Sequence, residues 1–101
     1  MSGKSFTTDQ ALNIGDKLGV DWEEIELEEF RMGLDVELEH GTMWEGTTNV
    51  TNDDEIMTGK IALAHLLEFP DYYTRLEMME IEGDKYWKNR SRKIKDRLAA
   101  I

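Results

Sequence analysis

A chain of 101 residues with no cysteine is one domain's worth of polypeptide. It is long enough to bury about two thirds of its unfolded surface, and it cannot use disulfides or thiolate metal sites. The net charge of −10 is divided unevenly: residues 1–84 carry 21 acidic and 5 basic side chains, a charge of −16, whereas residues 85–101 carry seven basic residues and only Asp96, a charge of +6.

An acidic body repels phosphate backbones, which leaves nucleic acid open only to the basic tail. A protein with a basic surface, a divalent cation or the chain's own tail is the better expected partner. The opening Met1-Ser2-Gly3-Lys4-Ser5-Phe6 lacks the apolar core of a signal peptide, and no apolar run reaches membrane-spanning length. The expectation is a soluble cytoplasmic protein without a membrane span, in which the sequon Asn49-Val50-Thr51 is accidental.

In chain order, residues 1–6 read as a flexible arm. Thr7 and Gln10 offer a capping box for a first helix that ends near Leu18, with Leu12, Ile14 and Leu18 buried and Gly19 as the stop. Trp22 and Ile25 anchor the connector. A second helix runs from about Glu26 to His40, with Leu27, Phe30, Leu34 and Leu38 at helical steps, and Gly41 ends it.

Residues 41–53 form a long loop in which Trp44 and Val50 suggest packing. Asn52, Asp53 or Asp54 caps a third helix that passes through Ile56, Ile61, Leu63, Leu66 and Leu67 to Phe69. Pro70 separates it from a fourth helix that reaches about Glu82 and buries Tyr73, Leu76 and Met78 or Met79, with Gly83 interrupting or weakening its end. Beyond, Trp87, Ile94, Leu98 and Ile101 form an apolar stripe on a basic helix. The reading is all-α: a single small irregular bundle of four to five short helices with a long loop between helices two and three. It divides into an arm at 1–6, an acidic helical domain at 7–87 and a basic amphipathic helix at 88–101.

The chain's two histidines each lie three residues from a glutamate, in Glu37-Leu38-Glu39-His40 and His65-Leu66-Leu67-Glu68. One helical turn puts each pair on one face. Facing each other, Glu37, His40, His65 and Glu68 would present two nitrogen and two oxygen ligands to zinc, iron or manganese, with Asp71 and Tyr72 in a second layer and a homodimer able to supply further ligands. The same residues also suit a buried hydrogen-bond network without any cofactor, in which a carboxylate fixes a histidine tautomer.

Catalysis finds little support. Ser2 and Ser5 lie in the arm, Ser91 sits among basic residues, and the glycines are scattered rather than clustered into a phosphate cradle. The chain reads as a module for protein interaction, with Trp44, Asp53, Asp54, Trp87, Ile94 and Leu98 as candidate contacts. Exposed methionines would add an adaptable surface.

Three segments, Phe30-Arg31-Met32-Gly33-Leu34-Asp35-Val36-Glu37-Leu38-Glu39-His40-Gly41, Thr48-Asn49-Val50-Thr51-Asn52-Asp53-Asp54 and Thr58-Gly59-Lys60-Ile61-Ala62-Leu63-Ala64-His65-Leu66-Leu67-Glu68-Phe69-Pro70-Asp71-Tyr72-Tyr73-Thr74-Arg75-Leu76, resemble a family of small bacterial and viral proteins catalogued as a domain of unknown function. The resemblance spans roughly residues 8–87. Relatives often carry proline where this chain has Glu55, and Lys88 to Ile101 looks like an extension beyond the family core. The resemblance implies no activity; it leaves open a phage origin and a role directed at a host protein. The tail itself has three readings: docking back onto the acidic body, self-association or partner binding through its stripe, and contact with nucleic acid or an anionic membrane.

Overall fold

Among the described residues four α-helices succeed one another: α1 (Thr8–Leu18), α2 (Leu27–Glu37), α3 (Glu55–Glu68) and α4 (Tyr72–Trp87), with a 3-10 turn, Leu38–His40, continuing α2. The computed structural model describes residues 5–42 and 49–88, and no strand occurs among them. Within that range no helix is long and apolar enough to cross a membrane. The middle of the expected long loop, with Trp44, and the expected fifth helix, with Ile94 and Leu98, lie outside the described residues.

The capping box at the start of α1 is present in both directions. The Gln10 amide donates to the Thr7 hydroxyl at 3.1 Å, and the Thr7 amide donates to the Gln10 side chain at 2.9 Å. At the other end Gly19 adopts φ 78°, where any residue with a Cβ is strained. The buried face is Ala11, Ile14 and Gly15, and Leu12 points outward at 38% exposure, contrary to expectation. Ala11 shares the stripe of Ile14 and Leu18 at steps of three and four, and Leu12 falls beside it. Phe6, at the end of the expected arm, is tied to α2: its amide donates to Asp35 Oδ1 at 2.7 Å, its carbonyl accepts from Arg31, and its ring packs on the core.

Helix α2 packs against each of the other three helices. Phe30 and Leu34 on it are fully buried, with Leu66 of α3 beside them in the same core cluster. Burial of each such side chain contributes roughly 1.5–3 kcal/mol. The expected second helix tightens at its end, so His40 closes a 3-10 turn rather than an α-helix.

Asp54 caps α3 by accepting the Met57 amide at 2.8 Å. The face that α3 turns inward is Thr58, Gly59, Ala62 and Leu66. Small residues let the helices approach closely, and the larger Leu67 and Phe69 are left outside at 69% and 53% exposure. Val50, expected to pack, is also exposed, while the neighbouring Thr51 is buried.

Phe69 takes an extended conformation before Pro70, and this ends α3. Helix α4 then runs unbroken through Gly83 to Trp87. Of its expected core residues only Tyr73 is buried; Leu76 is half-buried, and Met78 and Met79 are exposed. The first turns of α4 lie on α2 and α3, and its second half leaves the core.

Candidate functional site

Along one side of α2 the residues Glu29, Gly33 and Glu37 recur at four-residue steps, and His40 follows three further on. Such spacing lines them up on one face, and this face meets α4. At Gly33 the Tyr73 ring lies where a Cβ would be. The missing side chain lets the ring slide across α2 until its hydroxyl reaches Glu37.

Glu29 and Glu37 are buried carboxylates on either side of that contact. Glu29 accepts the Thr74 amide at 2.9 Å and the Thr74 hydroxyl at 2.7 Å. Asp71, at the N-cap position, makes no side-chain cap bond, so a carboxylate from α2 satisfies one of the free amides of α4, that of Thr74, and faces the positive end of its dipole. Glu37 Oε2 accepts the Tyr73 hydroxyl at 2.6 Å, a short charge-assisted bond. Burial first, and then the bond to Glu37, hold the Tyr73 hydroxyl well above the ordinary tyrosine range, so it stays protonated.

The two histidines flank the same carboxylate. His40 Nε2 stands 3.7 Å from Glu37 Oε1, and His65 Nε2 stands 3.7 Å from Glu37 Oε2. Glu37 Oε1 is buried without a hydrogen-bond partner, and so is His65 Nδ1, although Glu68 lies 3.5 Å from the latter. The His65 ring stacks on Tyr72 with centroids 4.3 Å apart and planes within 13°.

The expected quartet of Glu37, His40, His65 and Glu68 is therefore brought together, with differentiated positions. Glu37 is the centre, the histidines stand on either side of it, and Glu68 faces the far nitrogen of His65. Asp71, expected in a second layer, turns instead to Arg75 at 3.0 Å. Tyr72 does adjoin His65, but the chain breaks at Phe69 and Pro70, so the contact spans two helices rather than one continuous face. Among the described residues no group of three or more His, Asp or Glu side chains is arranged to hold a metal ion. Tyr73 and Glu29 escaped the sequence reading. Their partners lie 36 and 45 residues away, and the only local signal is the glycine one turn from each acid.

A second feature lies where α4 leaves the core. Glu39, Met79, Glu80, Gly83, Asp84 and Trp87 line a groove of about 500 Å³ between the 3-10 turn and α4. Its walls are acidic, and no basic side chain among the described residues lines it. Glu39 is held above the ordinary carboxylate range, by burial first and by the neighbouring charge of Glu80 second. Around the groove and along α4, Phe69, Met78, Met79, Ile81, Tyr86 and Trp87 are all exposed.

Of the expected contact residues, Trp87 borders this groove at 44% exposure. Asp53 accepts the Thr42 amide and hydroxyl at 3.0 and 2.8 Å and so ties the two ends of the loop. Asp54 is the cap of α3. Trp44, Ile94 and Leu98 lie outside the described residues.

No curated protein and no solved structure matches the chain. A family model described as protein of unknown function (DUF5661) matches residues 11–82, from the buried face of α1 to the acidic middle of α4, and the chain belongs to that family.

Proposed function

We propose that the protein is a non-catalytic interaction module that docks a partner with a basic, apolar surface on the outer half of α4. One observation carries this reading. Six large apolar side chains, Phe69, Met78, Met79, Ile81, Tyr86 and Trp87, stand exposed within a 19-residue stretch that also carries Glu77, Glu80, Glu82 and Asp84. Methionines and aromatic residues supply adaptable apolar contacts, and the surrounding acids steer and orient a cationic partner.

A cytoplasmic protein, of the host if the chain is phage-encoded, is the proposed target. Affinity capture from a bacterial lysate tests the reading at low and at moderate salt. A specific protein retained under both conditions is expected, because apolar contacts persist where charge is screened. Failure to retain any protein under either condition contradicts it.

A second reading is favoured by the Glu37 carboxylate, whose Oε1, without a hydrogen-bond partner, faces His40 while its Oε2 faces His65. In it, zinc, iron or manganese is bound by Glu37, His40 and His65, and Glu68 orients His65 through Nδ1. Tetrahedral zinc ligands stand about 3.4 Å apart, so separations of 3.7 Å would have to tighten by a few tenths of an ångström. His40 is about half exposed. Elemental analysis of untagged protein should show near-stoichiometric metal that His65→Ala abolishes. Metal-free protein whose Tm does not rise on adding zinc or iron overturns this reading.

A further inference from the structure

We infer that the flank of α4 carrying Tyr72, Leu76, Met79 and Gly83 is a dimer interface, and that its occupant is the same flank of a second copy of this chain laid antiparallel. The inference goes beyond the docking reading: it names a different partner, and it leaves Ile81 on the far side of α4 uncovered. Spacing, shape and charge carry it.

Tyr72, Leu76, Met79 and Gly83 follow one another at steps of four, three and four. That alternation holds them on one side of α4, and it is the spacing by which paired helices interlock. Ile81 stands about 180° round the helix from Tyr72. Among the described residues this flank is open. Phe69 and Met79 are exposed, and with Tyr72, Arg75 and Leu76 they line a hollow of about 190 Å³.

The flank is self-complementary in shape. When two copies lie antiparallel with Leu76 of each against Met79 of the other, Met79 enters that hollow and Tyr72 falls over Gly83. Among the described residues nothing lies within 4 Å of where a Cβ on Gly83 would stand, so the position accepts a ring. The molecule makes this fit once already within its own core, where the Tyr73 ring lies at the place of a Gly33 Cβ.

It is self-complementary in charge as well. Arg75 and Glu82, seven residues apart, border one rim of the flank. Antiparallel pairing brings Arg75 of each copy to Glu82 of the other, which makes two opposite-charge pairs related by the twofold axis. Arg75 holds Asp71 of its own chain through Nε at 3.0 Å, and its guanidinium fork has further donors for a second carboxylate. A flank that carries its own counter-charge suits a second copy better than a uniformly basic partner.

Interfaces of ordinary size hold with a Kd of about 1 µM or tighter, so full-length protein at about 0.1 mM should sediment as a dimer, at twice the 11.7 kDa of the chain. Met79→Glu should raise the dimer Kd at least about tenfold, whereas Ile81→Glu should leave it unchanged. Arg75→Glu and Glu82→Arg should each raise it about tenfold, since each sets like charges on both rims. An equimolar mixture of those two variants should recover the dimer as a heterodimer, because every rim pair is again of opposite sign. All four altered side chains are exposed, and circular dichroism verifies folding; should Met79→Glu be misfolded, the charge-reversal mixture decides. Wild type that stays monomeric, a dimer that Met79→Glu leaves intact, or a mixture that does not recover overturns the inference. The docking reading can fail separately: a dimer with no other protein captured sinks that reading alone, whereas a monomer that captures a partner through α4 sinks only this inference.

Discussion

At the scale of single residues the molecule is organised around two buried carboxylates, and these make different demands. Glu37 combines a strong bond from Tyr73 with an oxygen that has no partner. Tyr73→Phe would remove the bond and leave Oε2 unsatisfied as well, at a cost of about 1–3 kcal/mol. Urea denaturation should show that loss with an unchanged m-value, and a smaller loss for Glu37→Gln, which keeps an acceptor for the hydroxyl. Glu39 behaves differently, since burial and Glu80 raise its pKa above the reference value of 4.5. A carboxyl with a raised folded pKa binds its proton more tightly when folded, so its contribution favours folding in acid and is lost as pH rises from about 4.5 through the folded pKa. Glu39→Gln should remove that loss. Its Tm relative to wild type should therefore rise between pH 4 and pH 7, by a small amount because Glu39 is reached by solvent. A relative Tm that falls over that interval would contradict the assignment.

At the scale of elements, the caps separate what local sequence reveals from what it hides. The Thr7 and Gln10 box, the Gly19 stop and the Asp54 cap are visible because donor and acceptor lie within a few residues. The cap of α4 is invisible locally, since Glu29 supplies it from 45 residues away. Glu29→Ala should cost about 0.5–2 kcal/mol and loosen the first turn of α4, which amide exchange of Thr74 would register as lost protection. The inward face of α1 departs from expectation for a related reason. Helices α1 and α3 both turn small residues inward, Ala11, Gly15, Thr58, Gly59 and Ala62, whereas hydrophobic periodicity gives weight to bulk and so puts Leu12 in the core and passes over Thr58 and Gly59. The glutamate and histidine pairing was legible as two half-sites one turn long. Their convergence on Glu37 depends on the packing of α2 against α3 and α4, which no local spacing encodes.

At the scale of the whole molecule, helices α1 to α3 and the start of α4 form one core, while the outer half of α4 carries exposed methionine, isoleucine and aromatic side chains among acids. Expecting Met78 or Met79 in the core assumes that the apolar residues of an amphipathic helix find a partner within their own domain. Both stay exposed, and that surplus is the physical basis for proposing α4 as a docking surface. The charge division, −16 over residues 1–84 and +6 beyond, was plain from composition; the groove that gives the acidic charge a location appears only when the 3-10 turn and α4 are brought side by side. The most direct test compares partner capture by full-length wild type, by a Met79→Asp, Ile81→Asp variant and by a Val50→Asp control on the exposed loop, with folding of all three verified by circular dichroism. The account predicts a partner retained by wild type and control, and at least about tenfold less of it on the α4 variant, the loss of a hot spot worth about 1.4 kcal/mol or more. Equal retention by all three would contradict it.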